Sequence, residues 1–124
     1  MSDAPDRRAQ DRLEIDGGKV YYKMSFASDL FGRYQGPLDL IDISKSGSGF
    51  IAYPPIYNND GIKIKVKFPG EKALNLKAKV MWTAENQDGK TIRIGVMFMP
   101  FGSRREYNPP GNLARLNKLN EKYN

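Results

Sequence analysis

The 124-residue sequence contains no cysteine and no histidine. Without cysteine there is no disulfide, no thiol nucleophile and no thiolate for a structural zinc. Without histidine there is no Ser-His-Asp triad and no imidazole ligand. Catalysis would fall to carboxylates, Lys, Tyr or Ser, and no carboxylate pair stands in a recognisable acid/base setting. The chain is therefore expected not to be an enzyme and to need neither metal nor cofactor. No run approaches the roughly 18 apolar residues of a membrane span. The opening stretch, MSDAPDRRAQDRLEIDGG, lacks the apolar core of a secretory signal. A soluble cytoplasmic protein is the expectation.

What is present suffices for one globular domain over residues 1–124, the commonest domain size. Hydrophobic residues make up 40% of the chain, with seven Tyr, six Phe and a single Trp. Twenty Lys and Arg against fourteen Asp and Glu leave a net charge of +6, which favours an anionic partner without saying which.

Residues 1–12 are polar, charged and carry Pro5, and are read as a loose arm. Extended segments follow at 17–26, 37–43 and 49–53. In GIKIKVKFPG, Ile62, Ile64, Val66 and Phe68 alternate with Lys63, Lys65 and Lys67, the period of a half-buried strand. LNLKAKVMW (74–82) alternates likewise, NQDGKT (86–91) supplies a hairpin turn, and a last strand spans 91–101. A helix is expected over 110–123, with Leu113, Leu116, Asn120 and Tyr123 as a narrow stripe able to dock on the sheet. Five or six short strands in succession with a late helix predict an all-β fold, an antiparallel barrel over 13–101 with a C-terminal helix.

Two short motifs stand out. Arg8 and Arg12 form RxxxR, with Arg7 directly before it; Asp42, Ser44 and Gly47 form D-x-S-x-x-G. Alone, the first is a solvated charge run and the second an Asx or Ser turn. In this order and spacing they resemble the PilZ family of bacterial cyclic di-GMP receptors. KAKVMW (77–82) is similar to the family strand that ends in Trp, and IGVMF (94–98) to its later Gly-Val-x-Phe strand. The resemblance spans about residues 7–101. It implies a six-stranded antiparallel barrel, a flexible N-terminal arm, no catalytic activity, and a ligand site at Arg7, Arg8, Arg12, Asp42, Ser44, Gly47 and Trp82. An extra Arg before RxxxR, as at Arg7, goes in this family with an intercalated pair of cyclic di-GMP molecules.

The chemistry of these residues suits that ligand. Guanine O6 and N7 are adjacent acceptors that an Arg fork meets bidentately, and a guanidinium also stacks on purines or pairs with phosphate. The N1–H and N2–H donors of guanine match a carboxylate such as Asp42. Ser44 can donate to phosphate, and Gly47 would permit positive φ and close backbone approach. With no second domain in view, a separate effector protein of the motility, exopolysaccharide or pilus machinery is the expected output.

Plainer readings stand beside these. Trp82 ending a strand is expected in the core. Lys63, Lys65 and Lys67 suit the wet face of an edge-like strand. Arg104 and Arg105 read as a solvated pair, able to reach the ligand only if the chain folds back. Two other functions remain: a PilZ-like adaptor that has lost its ligand, and a small basic barrel binding single-stranded nucleic acid. The second lacks an RNP-like stacking motif, which makes nucleic acid the less expected partner.

Overall fold

The computed structural model describes residues 17–25 and 33–123. Six strands, β1 (Lys19–Met24), β2 (Gln35–Ile43), β3 (Gly47–Ala52), β4 (Gly61–Lys67), β5 (Leu74–Glu85) and β6 (Ile92–Phe98), precede one helix, α1 (Pro110–Tyr123). They close into an antiparallel barrel in the order β1-β2-β3-β6-β5-β4. This is the six-stranded barrel with a C-terminal helix that the sequence predicts.

Alternation decides what fills the barrel. Ile62, Ile64 and Val66 of β4, Leu74, Leu76, Ala78 and Val80 of β5, and Ile92, Ile94, Val96 and Phe98 of β6 point inward and are buried. Val20, Tyr22 and Phe50 complete the interior from the other wall. Tyr22 is the amphipathic member. Its hydroxyl accepts the Tyr53 N–H at 2.8 Å, and burial raises its pKa. Lys63, Lys65 and Lys67 do face outward, but β4 is hydrogen-bonded to β1 on one side and β5 on the other. The edge-strand expectation for these lysines is thus corrected, because a closed barrel has no edge.

At the β5–β6 hairpin, Asp88 accepts from the Lys90 and Thr91 N–H groups and the Thr91 hydroxyl, which hold its pKa down to about 2. β6 ends at Phe98, short of the expected Phe101; beyond it the Met99 N–H still donates to the Lys77 carbonyl at 2.8 Å, and the amide of Asn108 supplies the remaining bonds to β5. The fully buried Asn108 accepts from the Lys77 N–H at 2.7 Å and donates to the carbonyls of Lys77 and Met99 at 3.0 and 2.9 Å.

Pro110 opens α1, where its missing N–H costs nothing. Leu116 and Leu119 are the buried helix positions, and the Arg115 guanidinium donates to the carbonyls of Lys72 and Ala73. The expected stripe is shifted accordingly: Leu119 replaces Leu113, which is half-buried, and the side chains of Asn120 and Tyr123 lie outside the described residues. No helix among the described residues is long and apolar enough to cross a membrane.

Asn108→Ala leaves the Lys77 N–H without its acceptor and two carbonyls without this donor. It should lower stability by about 3 kcal/mol in urea unfolding.

Candidate ligand-binding face

The D-x-S-x-x-G segment forms the end of β2, a tight turn and the start of β3. Leu40 stands opposite Phe50 and Asp42 opposite Gly49, so β2 carries one extra residue there. Such a bulge re-aims the residue after it. Without it, Asp42 would share the inward parity of Leu40. With it, Asp42 comes to the outer wall, half-buried, while Ile43 turns inward. The Asp42 carboxylate accepts the Gly49 N–H at 2.9 Å, and the Ser48 hydroxyl donates to the Asp42 carbonyl at 2.7 Å.

Ser44 has a different task. Its hydroxyl accepts the N–H groups of Ser46 and Gly47, each at 3.2 Å, while its own N–H donates to the Gly47 carbonyl at 2.8 Å. With 8% of its surface exposed, it is built into the turn. Gly47 does not adopt positive φ, which corrects one of the two reasons expected for it. The other holds: a Cβ there would stand 2.3 Å from the Val96 carbonyl oxygen of β6.

Trp82 departs from the core expectation, with 44% of its surface exposed. The cause is a second bulge. Val80 pairs with Val96 and Trp82 with Gly95, so β5 holds an extra residue, Met81. Regular alternation from the buried Val80 would have put Trp82 inside. Instead its indole lies across Gly95, where a Cβ would stand 2.1 Å from Nε1.

The register joins these features into one row. Asp42 stands opposite Gly49, Gly49 opposite Gly95, and Gly95 opposite Trp82. Neighbouring strands lie about 4.8 Å apart, so a carboxylate and an indole flank two side-chain-free rungs of the outer wall. Arg93, two residues before Gly95, and Lys79, opposite the exposed Met97, share the outward parity and bring positive charge beside the row. Sequence reasoning missed Gly49, Gly95 and Arg93. The available signal was glycine and arginine at alternate, outward positions of strongly patterned strands. Arg7, Arg8 and Arg12 lie outside the described residues. Arg104 and Arg105 are exposed and line a groove over β4 and β5, away from Asp42. Among the described residues no cluster of His, Cys, Asp or Glu could hold a metal ion.

A family model for the PilZ domain matches residues 6–107, and the chain belongs to that family. No curated protein sequence matches it. Among solved structures, the Bacillus subtilis inhibitor of motility MotI/DgrA superposes with a TM-score of 0.59 at 9% identity, covering 90% of this chain and 48% of that one. The K. pneumonia MrkH–c-di-GMP complex gives 0.62 at 14%, covering 90% and 49%, and apo MrkH gives 0.64 at 13%, covering 90% and 49%. At these identities the likeness is one of fold. The chain spans about half the length of these structures.

Gly95→Ala would drive a methyl group into the indole and push Trp82 off the wall. Because Trp82 is the sole tryptophan, its emission should shift to the red while far-UV circular dichroism stays native. Unchanged emission would show that the ring is not seated on Gly95.

Proposed function

We propose that the chain is a cyclic di-GMP receptor that passes its signal to a separate effector protein. The observation that carries this reading is the facing pair of Asp42 and Trp82 across Gly49 and Gly95, in a chain of the PilZ family. A carboxylate accepts the paired N1–H and N2–H donors of guanine, and an indole offers the base a stacking surface. MrkH, a protein of like fold, forms a complex with the same ligand, which supports the reading. Arg8 and Arg12 supply the complementary half, forks for O6 and N7 or for phosphate. Arg7 adds the charge needed for an intercalated pair of ligands. Ser44 and Gly47 act one step back, by fixing the turn that carries Asp42. The chain acts here as a binding protein, with no bond made or broken.

Magnitudes bound the conformational step. Fixing a residue's backbone costs about 1–2 kcal/mol, and a hydrogen bond to a charged group returns about 1.5–3 kcal/mol. Clamping the few residues around RxxxR on the ligand roughly breaks even, whereas ordering all of 1–12 does not. Ligand binding therefore fixes 7–12 against the barrel and builds there the surface that the effector meets.

Calorimetric titration with cyclic di-GMP, with GTP as control, tests the reading. Saturable binding of cyclic di-GMP alone is expected, with two ligands per chain if Arg7 has the role given. Asp42→Ala and Arg12→Ala should each weaken binding by about 2–5 kcal/mol. Arg12→Ala binding as tightly as wild type would remove the assignment, and no binding by the native chain would leave a protein-interaction adaptor.

A further inference from the structure

Arg93 stands on β6 two residues before Gly95 and is exposed between the buried Ile92 and Ile94. Its cross-strand neighbours are Ile51 on β3 and Ala84 on β5, so neither side offers it a carboxylate. Among the described residues its guanidinium meets no acceptor, acid or ring. Other arginines of the chain are engaged: Arg115 donates to the carbonyls of Lys72 and Ala73, and Arg104 faces Tyr107.

The Trp82 ring is open in the same way. Tyr34 and Tyr107 are each faced by a cation. No such cation stands over the indole among the described residues, and Trp82 keeps 44% of its surface exposed. A stacking surface and an arginine fork therefore lie side by side, both without a partner.

Their layout is that of a guanine. Asp42, Gly49, Gly95 and Trp82 run across the strands, whereas Arg93 lies two residues along β6 from Gly95. Two strand spacings and two residues of rise put the Arg93 and Asp42 Cα atoms about 12 Å apart. In guanine, the N1–H and N2–H donors occupy one edge, and the O6 and N7 acceptors the edge roughly at right angles to it. A base laid over the indole with its donor edge turned to Asp42 thus points its acceptor edge along β6. On one side Arg93 waits there. On the other stands Met97, whose thioether has no hydrogen to donate. The cation beyond it, Lys79, lies one strand farther from Asp42 and carries a point charge, not a planar fork.

We infer that Arg93 is a specificity-determining residue of this face: its guanidinium forks onto O6 and N7 of the guanine whose N1–H and N2–H are held by Asp42. The inference rests on the cyclic di-GMP reading and deepens it. Adenine has an amino donor in place of O6 and no N1–H, so Asp42 and Arg93 both reject it. The ligand has two guanines and two phosphates, so Arg8 and Arg12 keep partners of their own.

The test is calorimetric titration of the full chain with cyclic di-GMP and with its 7-deaza analogue, in which C–H replaces N7. Arg93→Ala should bind cyclic di-GMP about tenfold more weakly, with native circular dichroism and native Trp82 emission. The native chain should bind the 7-deaza analogue about tenfold more weakly than cyclic di-GMP, whereas Arg93→Ala should bind the two alike. Arg93→Lys keeps the charge and loses the fork, and should stay near the alanine variant. Native affinity in Arg93→Ala would overturn the proposal, as would an undiminished penalty for the analogue in that variant or full recovery by lysine. No binding of cyclic di-GMP by the native chain would remove the receptor reading itself, an outcome distinct from any failure at Arg93.

Discussion

A six-stranded barrel closes on an interior only wide enough for its own side chains, and here Tyr22, Phe50 and the aliphatic residues of β4, β5 and β6 occupy it. Nothing else can bind inside. Every group available to a partner must lie on the outer wall, and strict alternation gives each strand only every second residue for that purpose. Parity is therefore what assigns roles in this fold. Among the described strands the register shifts in three places, and two of them, the bulges at Ile41 and Met81, bring out Asp42 and Trp82.

The D-x-S-x-x-G motif divides its labour along the same lines. Ser44 and Gly47 serve the backbone: the hydroxyl holds the turn, and the missing Cβ lets β3 lie against the Val96 carbonyl. That approach sets the register of β3 on β6, and the register is what puts Gly49 beside Gly95. Once those two glycines are aligned, the carboxylate on β2 can lie over Gly49 and the indole on β5 over Gly95. Ser44 through the turn and Gly47 through the strand pairing thus bear together on a geometry two strands away.

Much of this is legible in the sequence, and the exceptions depend on partner segments that no single stretch reveals. Ile62, Ile64 and Val66 set against their lysines define β4 by period alone, and Gly-containing NQDGKT places the β5–β6 hairpin. A bulge, by contrast, leaves no periodic trace, since one inserted residue looks like ordinary sequence until the partner strand is known. Trp82 is accordingly expected inside and found outside. The edge role given to Lys63, Lys65 and Lys67 fails for a related reason: closure is a property of all six strands, invisible from one. The helix face moves from Leu113 to Leu119 because α1 is anchored through Arg115 and Asn112 to carbonyls of the chain from Lys72 to Asn75.

Closure also changes the meaning of the lysines. On an edge strand, lysine serves by deterring the approach of another sheet. β4 has both neighbours in place, so that service is not needed, yet Lys63 still faces Lys23 on one side and Lys77 on the other. On the β1–β2 pair the cross-strand neighbour is of opposite charge instead, with Lys19 meeting Asp39 at 2.6 Å. Like-charge repulsion across strands, as at Lys63, costs the folded wall stability, and the Tyr34 ring, faced by the ammonium groups of Lys23 and Lys65 at 5.0 and 4.7 Å, offsets part of it.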